Sequence, residues 1–273
     1  MCKVDVFGLL RKLAILVESA NKSLQTIVHL FERCIGGVKN MESSEIEGID
    51  LEETDFIFEK PERIIVTGSS NTGKTHLVEQ LVKKHIDKFY KIVICGNRNR
   101  LLEFPETNCK TTLYKSDNDP IFNPFTELDR YEVKKNKNKQ FLLILDDLME
   151  VIYQSPIVSK IFSAGRHFQI SCIILCQSFF PSGSGKNIYP QIKNNSSIFI
   201  FTKLRSKNQI ANISRHLEDD KKTQKLFVEL YKKNVQAKKY GYLVVLLDVM
   251  DQMRYVTNII DEDKSGYLTV HTQ

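Results

Sequence analysis

The chain has 273 residues, of which 42% are hydrophobic and 26% charged, enough apolar material for a sizeable core and incompatible with a disordered or fibrous chain. Its 39 Lys and Arg against 33 Asp and Glu give a net charge of +6, and no run reaches the ~18 uncharged apolar residues that span a bilayer. Six scattered cysteines with no C-x-x-C pair argue for reduced thiols inside a cell and against a disulfide framework.

The first predicted element is a long amphipathic helix over residues 6–35. Leu9, Leu13, Leu16, Val17, Ala20, Leu24, Ile27, Val28, Phe31 and Ile35 recur at three and four, and the pattern stops at Gly36-Gly37. Such a stripe needs burial on the core domain, on a neighbouring subunit or at a membrane surface. The segment has no small-residue cleavage site and continues helically, so it does not read as a signal peptide. An acidic stretch follows, with nine carboxylates against one lysine between Glu42 and Glu62. The expected organisation is a helical extension over 1–40, an acidic linker over 41–55 and an α/β domain over 56–273.

A short apolar run, Ile64-Ile65-Val66, leads directly into Gly68-Ser69-Ser70-Asn71-Thr72-Gly73-Lys74-Thr75. These eight residues fit G-x-x-x-x-G-K-[ST], the phosphate cradle of a P-loop NTPase. Glycines let successive backbone N–H groups curl around phosphates, Lys74 reaches the terminal phosphates, and the Thr75 hydroxyl holds Mg²⁺. Leu77, Val78, Leu81, Val82 and Ile86 then recur at helical spacing, so the loop opens a helix over 75–88 whose N-terminal dipole favours an anion.

Further strands are expected over 91–95, 141–146, 170–176, 197–202 and 242–248, with helices over 148–164 and 207–235 and a closing hairpin with 253–259. This alternation specifies a mainly parallel sheet flanked by helices, the RecA-like form of the P-loop fold. Lys134, Lys135, Lys137 and Lys139 lie in an apolar-free basic stretch that reads as a solvated loop with some reach for phosphates. The strand at 141–146 ends in Asp146-Asp147. Asp146 is placed to hold the Mg²⁺ shell, and Asp147 to orient or deprotonate the attacking water, the alternative being that Asp147 caps the next helix.

The strand over 170–176 ends in Gln177, a candidate sensor of the γ-phosphate, with a turn-capping amide as the alternative. Arg166 before that strand and Arg205 after the next one suit an arginine supplied to a neighbouring subunit, or else are surface charges. Between Lys203 and Lys239 the chain holds eleven Lys or Arg against four acids, compatible with a nucleic-acid backbone or with a solvated helix face.

Taken together, the phosphate loop, Leu143-Ile144-Leu145-Asp146-Asp147, Gly165-Arg166-His167 and Ile173-Ile174-Leu175-Cys176-Gln177 resemble the FtsK/HerA superfamily. More narrowly, they resemble the poxvirus-type DNA-packaging ATPases of large DNA viruses, virophages, adenovirus-like elements and polintons. The resemblance covers about 56–259. It departs from the family pattern in having Asp rather than Glu as the second acid, and no third glycine in the loop. It implies a Mg²⁺-dependent ATPase, assembled as a ring with sites at subunit boundaries, that drives double-stranded DNA into a capsid in the host cytoplasm or nucleus. A nucleotide or nucleoside kinase shares the phosphate loop and is the rival reading, as is another P-loop DNA translocase or helicase-like ATPase, with a non-hydrolysing ATP-binding scaffold behind them.

Overall fold

Each uninterrupted apolar run forms a strand buried on both faces, the pattern expected where helices cover a parallel sheet. The computed structural model describes residues 49–50, 57–96, 109–114, 120–127, 138–180, 189–218, 220–247, 254–256, 259 and 267–270. All of them belong to one unit, Gly48–Gln273. The helix expected over 6–35, most of the 41–55 linker and lysines 134, 135 and 137 lie outside the described residues.

In chain order the strands are β1 (Ile49–Asp50), β2 (Arg63–Thr67), β3 (Phe89–Gly96), β4 (Lys110–Tyr114), β5 (Gln140–Asp146), β6 (Ile170–Cys176), β7 (Ile198–Phe201), β8 (Leu243–Leu246), β9 (Arg254–Val256) and β10 (Tyr267–Val270). They join in the order β1-β10-β9-β8-β7-β2-β6-β5-β3-β4. From β7 to β4 all neighbours are parallel, and from β7 outward through β8, β9, β10 and β1 they are antiparallel. The pairing of β8 with β9 is the expected closing hairpin. Strand β1 lies within the stretch read from sequence as linker, and its Ile49 and Asp50 pair with Leu268 and Tyr267.

The helices are α1 (Lys74–Lys84), α2 (Pro124–Glu127), α3 (Met149–Ile152), α4 (Pro156–Ala164), α5 (Tyr189–Asn194), α6 (Lys207–Leu217) and α7 (Lys221–Tyr231). Two predicted long helices are each divided, for local chemical reasons. The 148–164 stretch breaks because Ser155 caps α4, its hydroxyl accepting from Val158 N at 3.3 Å, and Pro156 begins the new helix without an N–H. The 207–235 stretch breaks where the Asp220 carboxylate accepts from Lys222 N and Thr223 N, at 2.7 and 3.0 Å, to start α7. These two backbone donors, with a third from Lys221, also hold the Asp220 carboxyl below its ordinary range. A π-helical turn, Lys232–Gln236, follows α7.

The pleat sends alternate residues to two apolar clusters. Ile65, Leu143, Leu145, Ile174, Phe199 and Phe201 pack with α4, α6 and α7 on one face. On the other, Ile64, Val66, Leu142, Ile144, Ile173 and Leu175 pack with Leu77, Val78, Leu81 and Val82 of α1. Each such buried aliphatic side chain contributes about 1.5–3 kcal/mol, so α1 is fixed by its apolar stripe and not by its polar first turn. Cys95, Cys109, Cys172 and Cys176 are buried. Burial pushes the Cys176 thiol up to about 11, offset in part by the Thr67 hydroxyl and Lys74. It is a neutral, unreactive group at neutral pH. No helix among the described residues is long and apolar enough to cross a membrane.

Candidate functional site

Strand β6 lies between β2, which carries the glycine-rich loop, and β5, which carries the two aspartates. Because the three strands are parallel and in register (Thr67 beside Cys176, Leu175 beside Asp146), their C-terminal ends form one edge. Asp146 is two strand spacings, roughly 10 Å, from the β2 backbone. That edge is where parallel α/β sheets place ligands.

The loop is braced from beneath. Gly68 N donates to Cys176 O at 3.2 Å and Ser69 N to Lys203 O at 2.9 Å, tying the loop to β6 and to the segment after β7. Thr72 Oγ1 lies 2.8 Å from Ser69 O and 2.7 Å from Thr202 Oγ1. Gly68 is obligatory because a Cβ there would fall 1.9 Å from Thr202 Oγ1. Asn71 and Gly73 adopt left-handed backbone conformations, φ 62° and 87°, which curl the loop before α1. Lys74 Nζ donates to Gly68 O at 2.7 Å and Ser69 O at 2.8 Å, so the ammonium closes over the loop.

The tip of β5 turns sharply at Asp147, whose φ of 58° lies in the left-handed region. Aspartate is one of the few side chains that tolerates this geometry. Its N–H reaches Leu175 O at 3.3 Å, and Gln177 Nε2 donates to both carboxylate oxygens, at 3.0 and 3.2 Å. The helix-capping alternative for Asp147 does not hold: α3 has Leu148 at its N-cap and no side-chain cap bond. The Gly68 and Asp147 N–H groups reach the carbonyls of Cys176 and Leu175, so the phosphate loop and this carboxylate flank the tip of β6. Thr75, in the first turn of α1, and Asp146 are both half-buried oxygen donors on this edge. Such hard ligands suit Mg²⁺, which retains several waters and takes its remaining ligands from substrate phosphates.

The two arginines separate. Arg205 is exposed just beyond Lys203, on the loop's own edge. Arg166 lies in the 3₁₀ turn Gly165–Phe168 that precedes β6, at the opposite edge, about 20 Å away by strand rise. There it lines a cleft of about 380 Å³ with Arg63, Lys193 and His216. Burial holds the Lys193 ammonium below the ordinary lysine range, and its Nζ lies 3.3 Å from His216 Nδ1. All eleven cations from Lys203 to Lys239 are exposed.

Tyr231 has a structural role at this site that its sequence context conceals. Its hydroxyl donates to Thr202 O at 3.0 Å and accepts from Leu204 N at 2.7 Å, fixing the segment that braces Gly68 and Ser69. From sequence it reads as one more core position of α7 beside Phe227 and Leu230. Tyr231→Phe leaves a buried N–H and C=O without this bridge and is expected to cost about 1–3 kcal/mol. The check is a thermal melt, with a fall in Tm of several degrees.

No curated protein matches. Among solved structures, the genome packaging NTPase B204 from Sulfolobus turreted icosahedral virus 2, bound to ATP-gammaS, is 16% identical, with 73% of this chain and 97% of that one covered at a TM-score of 0.47. The N-terminal domain of zonular occludens toxin from Neisseria meningitidis is 14% identical over 78% of this chain and 94% of its own, at 0.35. The pCW3 conjugation coupling protein TcpA, with ATPgS, is 15% identical over 78% and 61%, at 0.39. The family described as Poxvirus A32 protein matches residues 53–267, a span that holds the phosphate loop, both aspartates, Gln177 and both arginines, and the chain belongs to that family.

Proposed function

We propose that this chain is the ATP-hydrolysing motor that drives double-stranded DNA into a viral capsid. The observation that carries hydrolysis is the Asp147–Gln177 pair, set at the tips of β5 and β6 beside the phosphate loop. Membership of the A32 family supports the packaging role, and the motifs at this site resemble those of the poxvirus-type packaging ATPases.

In this reading Gly68, Ser69, Ser70, Asn71, Thr72 and Gly73 cradle the phosphates of ATP through backbone N–H groups. Lys74 leaves its two loop carbonyls to neutralise the terminal phosphates. Thr75 and Asp146 would hold Mg²⁺, which would supply charge neutralisation for the phosphates. Asp147 orients the attacking water and accepts its proton, and Gln177 couples the position of that carboxylate to the presence of the γ-phosphate. Arg166 lies too far from its own loop to act there, so its catalytic role is in the next subunit of a homo-oligomeric ring. Arg205, on the loop's own edge, is the alternative arginine. The exposed lysines and arginines from Lys203 to Lys239 grip DNA phosphates without reading bases, and the capsid shell is the partner that receives the product of translocation. The site of action is the interior of the host cell.

A steady-state ATPase assay tests this. Duplex DNA of any sequence is expected to raise turnover, with the stimulation falling steeply between 50 and 200 mM salt, as phosphate contacts require, roughly in proportion to their number. Turnover raised by a nucleoside or nucleotide acceptor and not by DNA assigns the chain to the kinases instead.

A further inference from the structure

Among the described residues, Tyr240 and Val151 are the large hydrophobic side chains left exposed, and Tyr240, at 61%, is by far the more so. Its position is specific. It sits in the short turn between the π-helical Lys232–Gln236 and β8. Because β8 runs antiparallel to β7, with Leu243 beside Phe201, this turn lies on the edge that carries the phosphate loop. A Cβ built on Gly73 would lie 3.2 Å from Tyr240 Cδ1, so the ring stands in contact range of the loop's last glycine.

The turn that holds the ring is fixed. Gly241, the next residue, is buried with its Cα pressed on the π-helical turn, where a Cβ would fall 2.0 Å from Asn234 O. Tyr242 is packed among the apolar residues on the α1 face. The ring is therefore presented to solvent by anchored backbone. One face of the ring carries Lys239 Nζ, 5.1 Å from the centroid, in a cation–π contact.

We infer that Tyr240 is the platform on which the base of the bound nucleotide stacks. The inference rests on the phosphate-loop reading of Gly68–Thr75. If the loop's N–H groups take the phosphates, the ribose and base extend past the Gly73 end of the loop, and Tyr240 is the aromatic face that stands there. A stacked ring reads the area of the base and not its hydrogen-bonding edge, because every base has a π face. The site therefore favours purine nucleotides over pyrimidine ones and separates ATP from GTP only weakly.

The chain contains no tryptophan, so Tyr240→Trp introduces a single indole reporter at this position. Full-length wild type, Y240A, Y240F and Y240W are titrated with ATP and with inorganic tripolyphosphate, both with Mg²⁺, and Lys74→Ala serves as the phosphate-loop control. Y240A is expected to bind ATP about tenfold more weakly while its tripolyphosphate affinity stays at the wild-type value. Y240F and Y240W are expected to keep ATP affinity, with the indole emission changed by ATP and unchanged by tripolyphosphate. Equal ATP affinity in wild type and Y240A, or a loss shared equally by ATP and tripolyphosphate, overturns the inference. Failure of tripolyphosphate to bind wild type in a Lys74-dependent way overturns the phosphate-loop reading itself, and the Tyr240 inference with it.

Discussion

Lys74→Ala is expected to reduce ATP turnover by at least about 10²-fold, the scale on which removal of a single charged donor from a phosphoryl-transfer site acts. In the structure its Nζ donates to the carbonyls of Gly68 and Ser69, at the mouth of the loop that receives the phosphates. Alanine removes both the positive charge and these two contacts, while Leu77, Val78, Leu81 and Val82 continue to hold α1 against the sheet. Binding and turnover therefore fall with the fold preserved. The measurement is nucleotide affinity and turnover beside a thermal melt. Unchanged ATP affinity would remove Lys74 from the phosphate site, and a collapsed melt would show that its part is architectural.

Asp147→Asn is expected to lower turnover by roughly 10²–10⁴-fold, the usual contribution of a positioned general base, with ATP affinity retained. The substitution is well matched to its purpose. Asparagine tolerates the left-handed backbone that Asp147 adopts, so the turn at the tip of β5 survives. What disappears is the carboxylate that accepts two contacts from Gln177 Nε2, and with it the proton acceptor. Single-turnover hydrolysis separates the chemical step from product release. A variant that hydrolyses ATP at the wild-type rate would leave Asp147 as a structural turn residue and would revive the scaffold reading.

Much of the site is legible in the sequence because its chemistry is local. The phosphate loop is eight consecutive residues, and its reading needs only the strand before it and the helix after it. Strands β2, β5 and β6 are legible because burial on both faces demands continuous apolar runs such as Phe141-Leu142-Leu143-Ile144-Leu145. Strand β4 escapes sequence analysis for the converse reason. Among the described residues it pairs with β3 alone, at the end of the sheet, leaving Lys110 and Thr111 exposed, so no apolar run announces it.

Helix boundaries are marked in the sequence by Ser155-Pro156 and Asp220, but an apolar rhythm that continues across each break conceals them. What is least legible is the nonlocal bracing. Thr202 and Tyr240 meet the loop, and Tyr231 holds the segment that braces it, from positions 130 or more residues downstream of Gly68, and nothing in their immediate neighbours distinguishes them from core or surface tyrosines and threonines. The two predicted arginines illustrate the same limit. Their spacing from the strands is readable, but that they stand on opposite edges follows only from the direction of the chain through the sheet.

The central place of β2 has a consequence for how the chain acquires its shape. Its two partners, β6 and β7, pair Arg63 with Cys172 and Ile64 with Ile198, so the strand preceding the phosphate loop has neither neighbour until the chain has grown by more than a hundred residues. Closing loops of that length before any reward is gained makes assembly of the sheet slow and cooperative. During synthesis the glycine-rich segment therefore leaves the ribosome as an unsupported strand end, and its curl is set only when Cys176, Thr202 and Lys203 arrive. Nucleotide affinity is thus among the last properties the protein gains, and a sensitive indicator that its folding is complete.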